Sequence, residues 1–213
     1  SKDHPEHTLA AYERAIHQGA DMLECDVRLT ADGHLVCVHD RRIDRTSDGR
    51  GVVSTKTLEQ LQSRDFGAGT GPASVLRLEE LIELTLDSER PVGLAIETKH
   101  PTRYAGWVEE RVVAQLRHFG RVQAPGAGRI EVRLMSFSSL ALRRFRALAP
   151  SVPRVFLFER MPISVPQGDH VDVLVLFDVV VGVNKVVIFV GGKPVDDPLD
   201  GLAGLRIVAG QYA

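Results

Sequence analysis

The sequence predicts an α/β fold built from parallel strand–helix units. Short apolar strands alternate with amphipathic helices, glycine or proline breaks separate them, and polar side chains gather where apolar strands end. Such units form either a closed barrel or an open doubly wound sheet, and the pattern fits both. A length of 213 residues suits one domain, which we take to span residues 1–213.

The elements of the first two thirds follow from periodicity and from turn residues. Apolar positions at helical spacing predict a first helix over residues 5–19, before strands at 21–28 and 35–38. Residues 41–75 lack strong periodicity, apart from a short helix near 58–62, and form an excursion from the sheet. The alternation then resumes, with helices expected at 78–88, 104–119 and 138–148, and strands at 91–97, 130–136 and 154–158.

The last third of the chain has a weaker pattern. Apolar runs predict strands at 171–177, 186–190 and 206–209. The connection from Phe177 to Lys185 is too short for a crossover helix, which needs roughly a dozen residues. Either this pair of strands is not parallel, or a segment is absent from the sequence.

Charge and hydropathy exclude several classes of partner. The 26 Lys and Arg residues balance 28 Asp and Glu residues, and a net charge of −2 argues against binding nucleic acid or an acidic membrane by bulk charge. No apolar run approaches the roughly 20 residues of a membrane helix, and no secretory signal is visible. We therefore expect a cytoplasmic protein with a small-molecule substrate and no integral membrane segment; a homodimer is compatible with the sequence.

Two carboxylates at the end of the first strand form the first candidate site. Residues two apart on a strand share a face, so Glu24 and Asp26 point together. On an interior face they would repel each other unless a cation or protons compensated, whereas solvated acids at a strand end would need no such partner. The apolar neighbours on both sides favour the interior.

Two further strand ends offer groups that bind or move protons. His39 and Asp40 follow the second strand, and Glu97 and Lys99 share a face at the end of another. In a parallel sheet these ends would lie on the same side, and three carboxylates there suit Mg²⁺ or Ca²⁺. A histidine and a lysine beside that cation suit phosphate chemistry.

The remaining histidines and both cysteines lack such a role. His4, His7, His17 and His34 have no mutual metal-ligand spacing, and we expect them to be exposed. Cys25 and Cys37 lie in apolar runs and are expected to be buried. If His39 faces the same interior as Glu24, strand parity places the two cysteines on opposite faces, which argues against a disulfide.

The same residues resemble the glycerophosphodiester phosphodiesterase family, and the actinobacterial-type members most closely. The resemblance runs in the family's order through about residues 5–137. Its stretches are Pro5 to Tyr12, Gly19 to Thr30, Asp32-Gly33, Val38-His39-Asp40, Asp44-Arg45-Thr46, Gly49-Arg50-Gly51, Ile96-Glu97-Thr98-Lys99 and Met135-Ser136-Phe137.

The resemblance implies a TIM (β/α)8 barrel with a small insertion, residues 41–75, after the second barrel strand. It implies a divalent cation, Mg²⁺ or Ca²⁺, held by Glu24, Asp26 and Glu97. His39 would be one of two catalytic histidines, Lys99 would bind near the phosphate, and Glu6 would lie near the substrate. The implied reaction is hydrolysis of a glycerophosphodiester to glycerol 3-phosphate and an alcohol.

The chain also departs from the family pattern in two places. The family begins with a strand ending in His-Arg-Gly, which would precede Ser1, so the first strand and the partner histidine are expected to be missing from this sequence. The last third lacks the family's late tryptophan, and no site residue is assigned there. Two rival hypotheses stay open: a non-catalytic barrel that binds a phosphodiester or a protein partner, and a phospholipase D-like enzyme on the same scaffold.

Overall fold

A computed structural model of the protein describes residues 4–122 and 131–158, together with three later strands. The helices of this part are α1 (Leu9–His17), α2 (Leu58–Gln62), α3 (Leu78–Asp87), α4 (Trp107–His118) and α5 (Ser139–Leu148). The strands are β1 (Met22–Leu29), β2 (Leu35–Cys37), β3 (Gly93–Thr98), β4 (Val132–Ser136), β5 (Arg154–Phe158), β6 (Val171–Phe177), β7 (Val186–Val190) and β8 (Ile207–Val208). None of the described helices is long and apolar enough to cross a membrane.

The strands form one sheet in the order β2-β1-β3-β4-β5-β6-β7, and β8 pairs with the start of β1. The neighbours from β1 through β6 run parallel, which confirms the predicted α/β class. β6 and β7 pair antiparallel, so the pair with the short connection is not a parallel unit. The connection itself, residues 178–185, lies outside the described residues.

The two faces of the sheet have different contents. The outer face packs against the helices in one large apolar cluster, which includes Leu23, Ile96, Leu134 and Phe145. The inner face holds a smaller cluster of Met22, Ala95, Met135, Val155 and Leu157. Burial of each large apolar side chain stabilises the fold by about 1.5–3 kcal/mol, so the outer face supplies most of this stabilisation. The inner face can therefore hold polar groups at its strand ends.

β2 does not continue the parallel sheet, contrary to the prediction. It turns back on β1 as an antiparallel hairpin that pairs Val27 with Cys37 and Leu29 with Leu35. The turn is closed by Thr30, whose backbone N–H donates to the His34 carbonyl and whose hydroxyl donates to Asp32. Gly33 has a φ of 84°, a left-handed conformation that costs glycine little. The hairpin brings His39 back to the side of β1.

The predicted placement of the cysteines on opposite faces is wrong. Cys25 and Val27 share a face of β1, and Val27 pairs across the hairpin with Cys37, so both cysteines lie in the outer cluster. The prediction assumed that side chains alternate between faces from Cys37 through His39. This alternation does not extend to His39, because β2 ends at Cys37. Both thiols are buried and free.

Residues 41–75 form a lobe with its own apolar core. Ile43, Val53, Leu61 and Phe66 pack with Val38 at the end of the hairpin. The short helix α2 begins with a capping box, in which the side chains of Thr57 and Gln60 each accept a bond from the other's backbone N–H. This 41–75 lobe is therefore a packed part of the fold.

The core of the 41–75 lobe yields the first prediction. Leu61 is fully buried, and Leu61→Ala should lower the free energy of unfolding by about 2–5 kcal/mol because it leaves a cavity. Leu140→Ala, at an exposed position on α5, is the matched control and should cost less than about 0.5 kcal/mol. Urea unfolding followed by circular dichroism measures both. Equal stability of the two variants would show that the lobe packs loosely.

Candidate active site

Three carboxylates meet on the inner face, two from the first half and the middle of β1 and one from the end of β3. The parallel register pairs Asp26 with Glu97, and Glu24 lies two residues before Asp26 on the same face. One oxygen from each of the three lies within 4.8 Å of the others, and all three side chains are buried. The structure thus brings together the acidic residues that the sequence singled out.

Lys99 lies beside these acids. Its Nζ is 2.9 Å from Asp26 Oδ1 and 2.9 Å from Glu97 Oε1. Burial alone would lower the pKa of Lys99, but the charges of Asp26 and Glu97 raise it above its ordinary value. The lysine is therefore a fixed positive charge within the acidic cluster.

The two paired acids respond to this environment in opposite ways. Burial, and then the charge of Asp26, raise the pKa of Glu97 to about 7, although Lys99 opposes the shift. Burial would also raise the pKa of Asp26, but its hydrogen bond with His7 and the charges of His7 and Lys99 hold it well below its usual range. Of these two paired acids, Glu97 is thus the one whose ionised form is disfavoured by the packing of the acids together.

The acidic cluster fits a hard divalent cation. Its donors are carboxylate oxygens, which Mg²⁺ and Ca²⁺ prefer. Lys99 lies at ion-pair distance from two of the three carboxylates, Asp26 and Glu97, and burial together with the charge of Asp26 still raises the pKa of Glu97. The three acids therefore carry more negative charge than Lys99 offsets. A cation among Glu24, Asp26 and Glu97 would remove that excess, so the cluster can hold a metal ion.

His39 is held by two contacts just beyond β2. Its Nδ1 lies 2.7 Å from Asp40 Oδ1, and its backbone carbonyl accepts bonds of 3.0 and 2.7 Å from the Arg28 guanidinium. An ionised carboxylate only accepts hydrogen bonds, so Nδ1 is the nitrogen that bears the proton. In the neutral ring Nε2 is then the basic nitrogen.

Asp40 belongs to a chain of ion pairs that reaches Glu6. Arg45 donates from Nε to Asp40 Oδ2 at 2.7 Å and from its two terminal nitrogens to both Glu6 oxygens, at 2.8 and 2.6 Å. The bond from Arg45 first, and then the bond from His39, lower the pKa of Asp40 to about 2. Asp40 is therefore ionised at neutral pH. Glu6 lines the same small pocket as His39, and both of its oxygens accept bonds from Arg45.

The expectation that His7 is exposed is wrong. α1 begins at Leu9 instead of residue 5, because Thr8 caps the helix and accepts a bond from the Ala11 N–H. His7 precedes this cap with a φ of 55°, and its ring is buried. Its Nε2 lies 3.0 Å from Asp26 Oδ2.

Tyr12 completes the contacts of His7. The Tyr12 hydroxyl lies 2.6 Å from His7 Nδ1 and donates to the Glu24 carbonyl at 2.9 Å. Since its one proton goes to that carbonyl, the hydroxyl accepts from His7. In the sequence, a threonine before an amphipathic helix indicates the helix cap. The spacing between histidines, from which metal binding was judged, does not indicate that the His7 ring contacts Tyr12 and Asp26. His7, Tyr12 and Arg45 are therefore contacts of the site that sequence reasoning did not assign to it, whereas Asp40 was already singled out beside His39.

Comparison with known proteins identifies the family. A family model described as the "Glycerophosphoryl diester phosphodiesterase family" matches residues 1–190. The chain belongs to this family. The resemblance drawn from the sequence is thereby confirmed.

Bacterial proteins match nearly three quarters of the chain. The chain is 51% identical over 162 residues to the Mycobacterium tuberculosis protein named "Probable glycerophosphodiester phosphodiesterase 1", covering 72% of this chain and 59% of that protein. A solved glycerophosphodiester phosphodiesterase from Agrobacterium tumefaciens matches with a TM-score of 0.62 and 31% identity, over 73% of this chain and 62% of that one.

A second solved structure is a phosphodiesterase from Oleispira antarctica in complex with the product sn-glycerol-3-phosphate. It matches with a TM-score of 0.69 and 28% identity, over 77% of this chain and 65% of that one. The chain spans less than two thirds of the length of each of these relatives. The likenesses confirm the TIM-barrel class that the resemblance implied.

The raised pKa of Glu97 yields a prediction for the metal-free protein. Between about pH 4.5 and 7 the folded state keeps a proton that the unfolded chain has released, so rising pH lowers the stability of the fold. Glu97→Gln removes this penalty and should raise the free energy of unfolding by about 2 kcal/mol at pH 8, with no gain near pH 4. Urea unfolding in EDTA measures it. Glu110→Gln on the exposed side of α4 is the control, and an equal gain there would contradict the assignment.

Proposed function

We propose that the protein is a metal-dependent phosphodiesterase that hydrolyses glycerophosphodiesters to glycerol 3-phosphate and an alcohol. The observation that carries the proposal is the buried cluster of Glu24, Asp26 and Glu97 with Lys99 against it. Membership of the family supports it. The sn-glycerol-3-phosphate bound as product in the Oleispira antarctica phosphodiesterase supports it as well.

In this proposal Glu24, Asp26 and Glu97 hold Mg²⁺ or Ca²⁺. When bound, the cation supplies positive charge for a phosphate oxygen and for a substrate hydroxyl. Lys99 adds a second positive charge, held at 2.9 Å from two of the acids, and stabilises the negative charge that grows on the phosphate in the transition state. Lys99 is thus the residue that binds the phosphate.

His39 is the proton carrier of the proposed reaction. The ionised Asp40 keeps the Nδ1 proton in place, so Nε2 exchanges a proton with a substrate oxygen. Attack of the substrate hydroxyl on phosphorus breaks the bond to the leaving alcohol and forms a cyclic phosphate, which one water molecule then opens to glycerol 3-phosphate. The first of these steps needs two proton transfers, one from the attacking hydroxyl and one to the leaving alcohol, and His39 serves one of them. Arg45 and Glu6 act as positioning residues, since they hold Asp40 against His39.

The role of His39 yields a kinetic prediction. His39→Asn should lower kcat by about 10² to 10⁴, the usual effect of losing a general acid or base, and should leave the affinity for Mg²⁺ nearly unchanged. The measurement is glycerol 3-phosphate release from glycerophosphocholine, with calorimetry for the metal. His34→Asn, in the exposed turn before β2, is the control and should keep the full rate. A variant at His39 with the unmodified rate would leave that residue without a catalytic role.

The contact between His7 and Asp26 yields a prediction on metal affinity. His7→Phe keeps a ring of similar size but loses both hydrogen bonds, so Asp26 loses one of the contacts that orient it toward the cluster. Metal affinity should fall by about 10- to 100-fold, as is usual when a group that orients a ligand is removed. Calorimetric titration with Mg²⁺ and Ca²⁺ checks this. His17→Phe, exposed on α1, should bind as tightly as the unmodified protein; an equal affinity in His7→Phe would contradict the positioning role.

A further inference from the structure

A cavity of about 390 Å³ opens beside the acidic cluster, between the 41–75 lobe and the loop that follows β3. Its volume lies in the range of small-ligand sites. The lining residues that matter here are Arg28, Arg41, Ser54, Lys99, Arg103 and Tyr104. The Tyr104 hydroxyl donates to the Ser54 carbonyl at 2.8 Å and ties the two walls together, so the cavity is formed without a ligand.

The charges on the cavity wall have one sign. Four cationic side chains line it, and among the described residues no acidic side chain does. Two of the four are already engaged: Lys99 pairs with the acids, and Arg28 donates to the His39 carbonyl. Arg41 and Arg103 are exposed, and no carboxylate in the described part of the chain lies within ion-pair distance of either. These two arginines are therefore surplus positive charge at the cavity.

Two arginines close to Arg41 in the sequence of the 41–75 lobe, in contrast to Arg41, are paired with carboxylates. Arg42 pairs with Asp44 at 2.9 Å, and Arg45 pairs with both Asp40 and Glu6. Carboxylates thus neutralise the neighbours of Arg41, while the cavity itself stays positive. Arginine is well suited to bind phosphate or carboxylate through paired N–H groups.

Lys99 connects this cavity with the reaction centre, because the same side chain lines the cavity and contacts two acids of the cluster. On the proposed function, a diester whose phosphate lies at Lys99 has one substituent beside the acidic cluster and the other directed into the cavity. The glycerol end supplies the hydroxyl near the metal ligands, so the leaving alcohol occupies the cavity.

We propose that the cavity binds an anionic group on the leaving alcohol, specifically a phosphomonoester on a polyol head group. Arg41 and Arg103 contact that group, and Arg28 and Lys99 add to the positive potential. A choline head group finds no acid among the described lining residues, and the aromatic ring in the wall, that of Tyr104, already has the Arg103 guanidinium 5.8 Å from its centre. The proposal rests on the proposed function, whose substrate class it narrows.

The test compares two substrates that differ by one phosphate group, glycerophosphoinositol and glycerophosphoinositol 4-phosphate. We expect kcat/KM for the phosphorylated substrate to be roughly tenfold higher or more, as charged hydrogen bonds of this kind allow. This preference should shrink as salt rises from about 0.05 to 0.5 M. In the double variant Arg41→Gln/Arg103→Gln the preference should fall to less than about twofold.

The matched control is Arg146→Gln, an exposed arginine near the end of α5 and thus at the edge of the sheet opposite to the site. It makes half of the double variant's charge change and should keep the full preference. Equal kcat/KM values for the two substrates in the unmodified protein would overturn the proposal. A preference that survives the double variant would overturn it as well.

A protein that hydrolyses neither substrate would contradict the proposed function but still allow a test of the cavity. Calorimetric titration with inositol 4-phosphate and with inositol then decides. Binding of inositol 4-phosphate but not of inositol supports the anionic site if the double variant no longer binds inositol 4-phosphate. The absence of binding, or equal binding by the double variant, overturns it.

Discussion

The register between β1 and β3 is the constraint on which the rest of the site depends. Because this register places Asp26 directly across from Glu97, it brings their carboxylates together on a buried face. The protein tolerates this repulsion through contacts from two different elements, Lys99 after β3 and His7 before α1. The same pairing places the apolar residues of both strands against the helices, so a change of register that separated the two acids would also displace the core.

The site has two parts, which are positioned by different elements of the fold. The acids and Lys99 belong to parallel strands, whose ends the fold brings together in any α/β protein of this class. His39 arrives on an antiparallel hairpin and is fixed by Arg28 from β1 and by Asp40 from its own loop. The Glu6–Arg45–Asp40 chain then joins the residues before α1 to the 41–75 lobe. Charge stabilisation and proton transfer therefore rest on separate structural supports.

Much of the fold and of the candidate site follows from local sequence pattern. Strand alternation alone placed Glu24 and Asp26 on one face, and the apolar runs gave the strands and most of the helices close to their observed bounds. What the pattern missed depends on three-dimensional pairing. The face of Cys37 was predicted wrongly because it was inferred from His39, which lies beyond the end of the short strand β2 and need not follow its alternation. His7 was missed because its burial results from a helix cap and a turn of the backbone, and Arg45 because its partners lie far away in sequence.

The hairpin between β1 and β2 also sets the distance between His39 and Asp26. His39 lies two residues beyond the end of β2, and β2 takes its position from β1, so the number of residues in the turn at Thr30–His34 fixes how far His39 stands from Asp26. Adding or removing one residue there would move every later side chain of the hairpin to the opposite face. The 41–75 lobe, which begins after His39, is free of this condition at its surface loops. Divergence in length among proteins built this way can therefore accumulate in the lobe but not in the turn that precedes it.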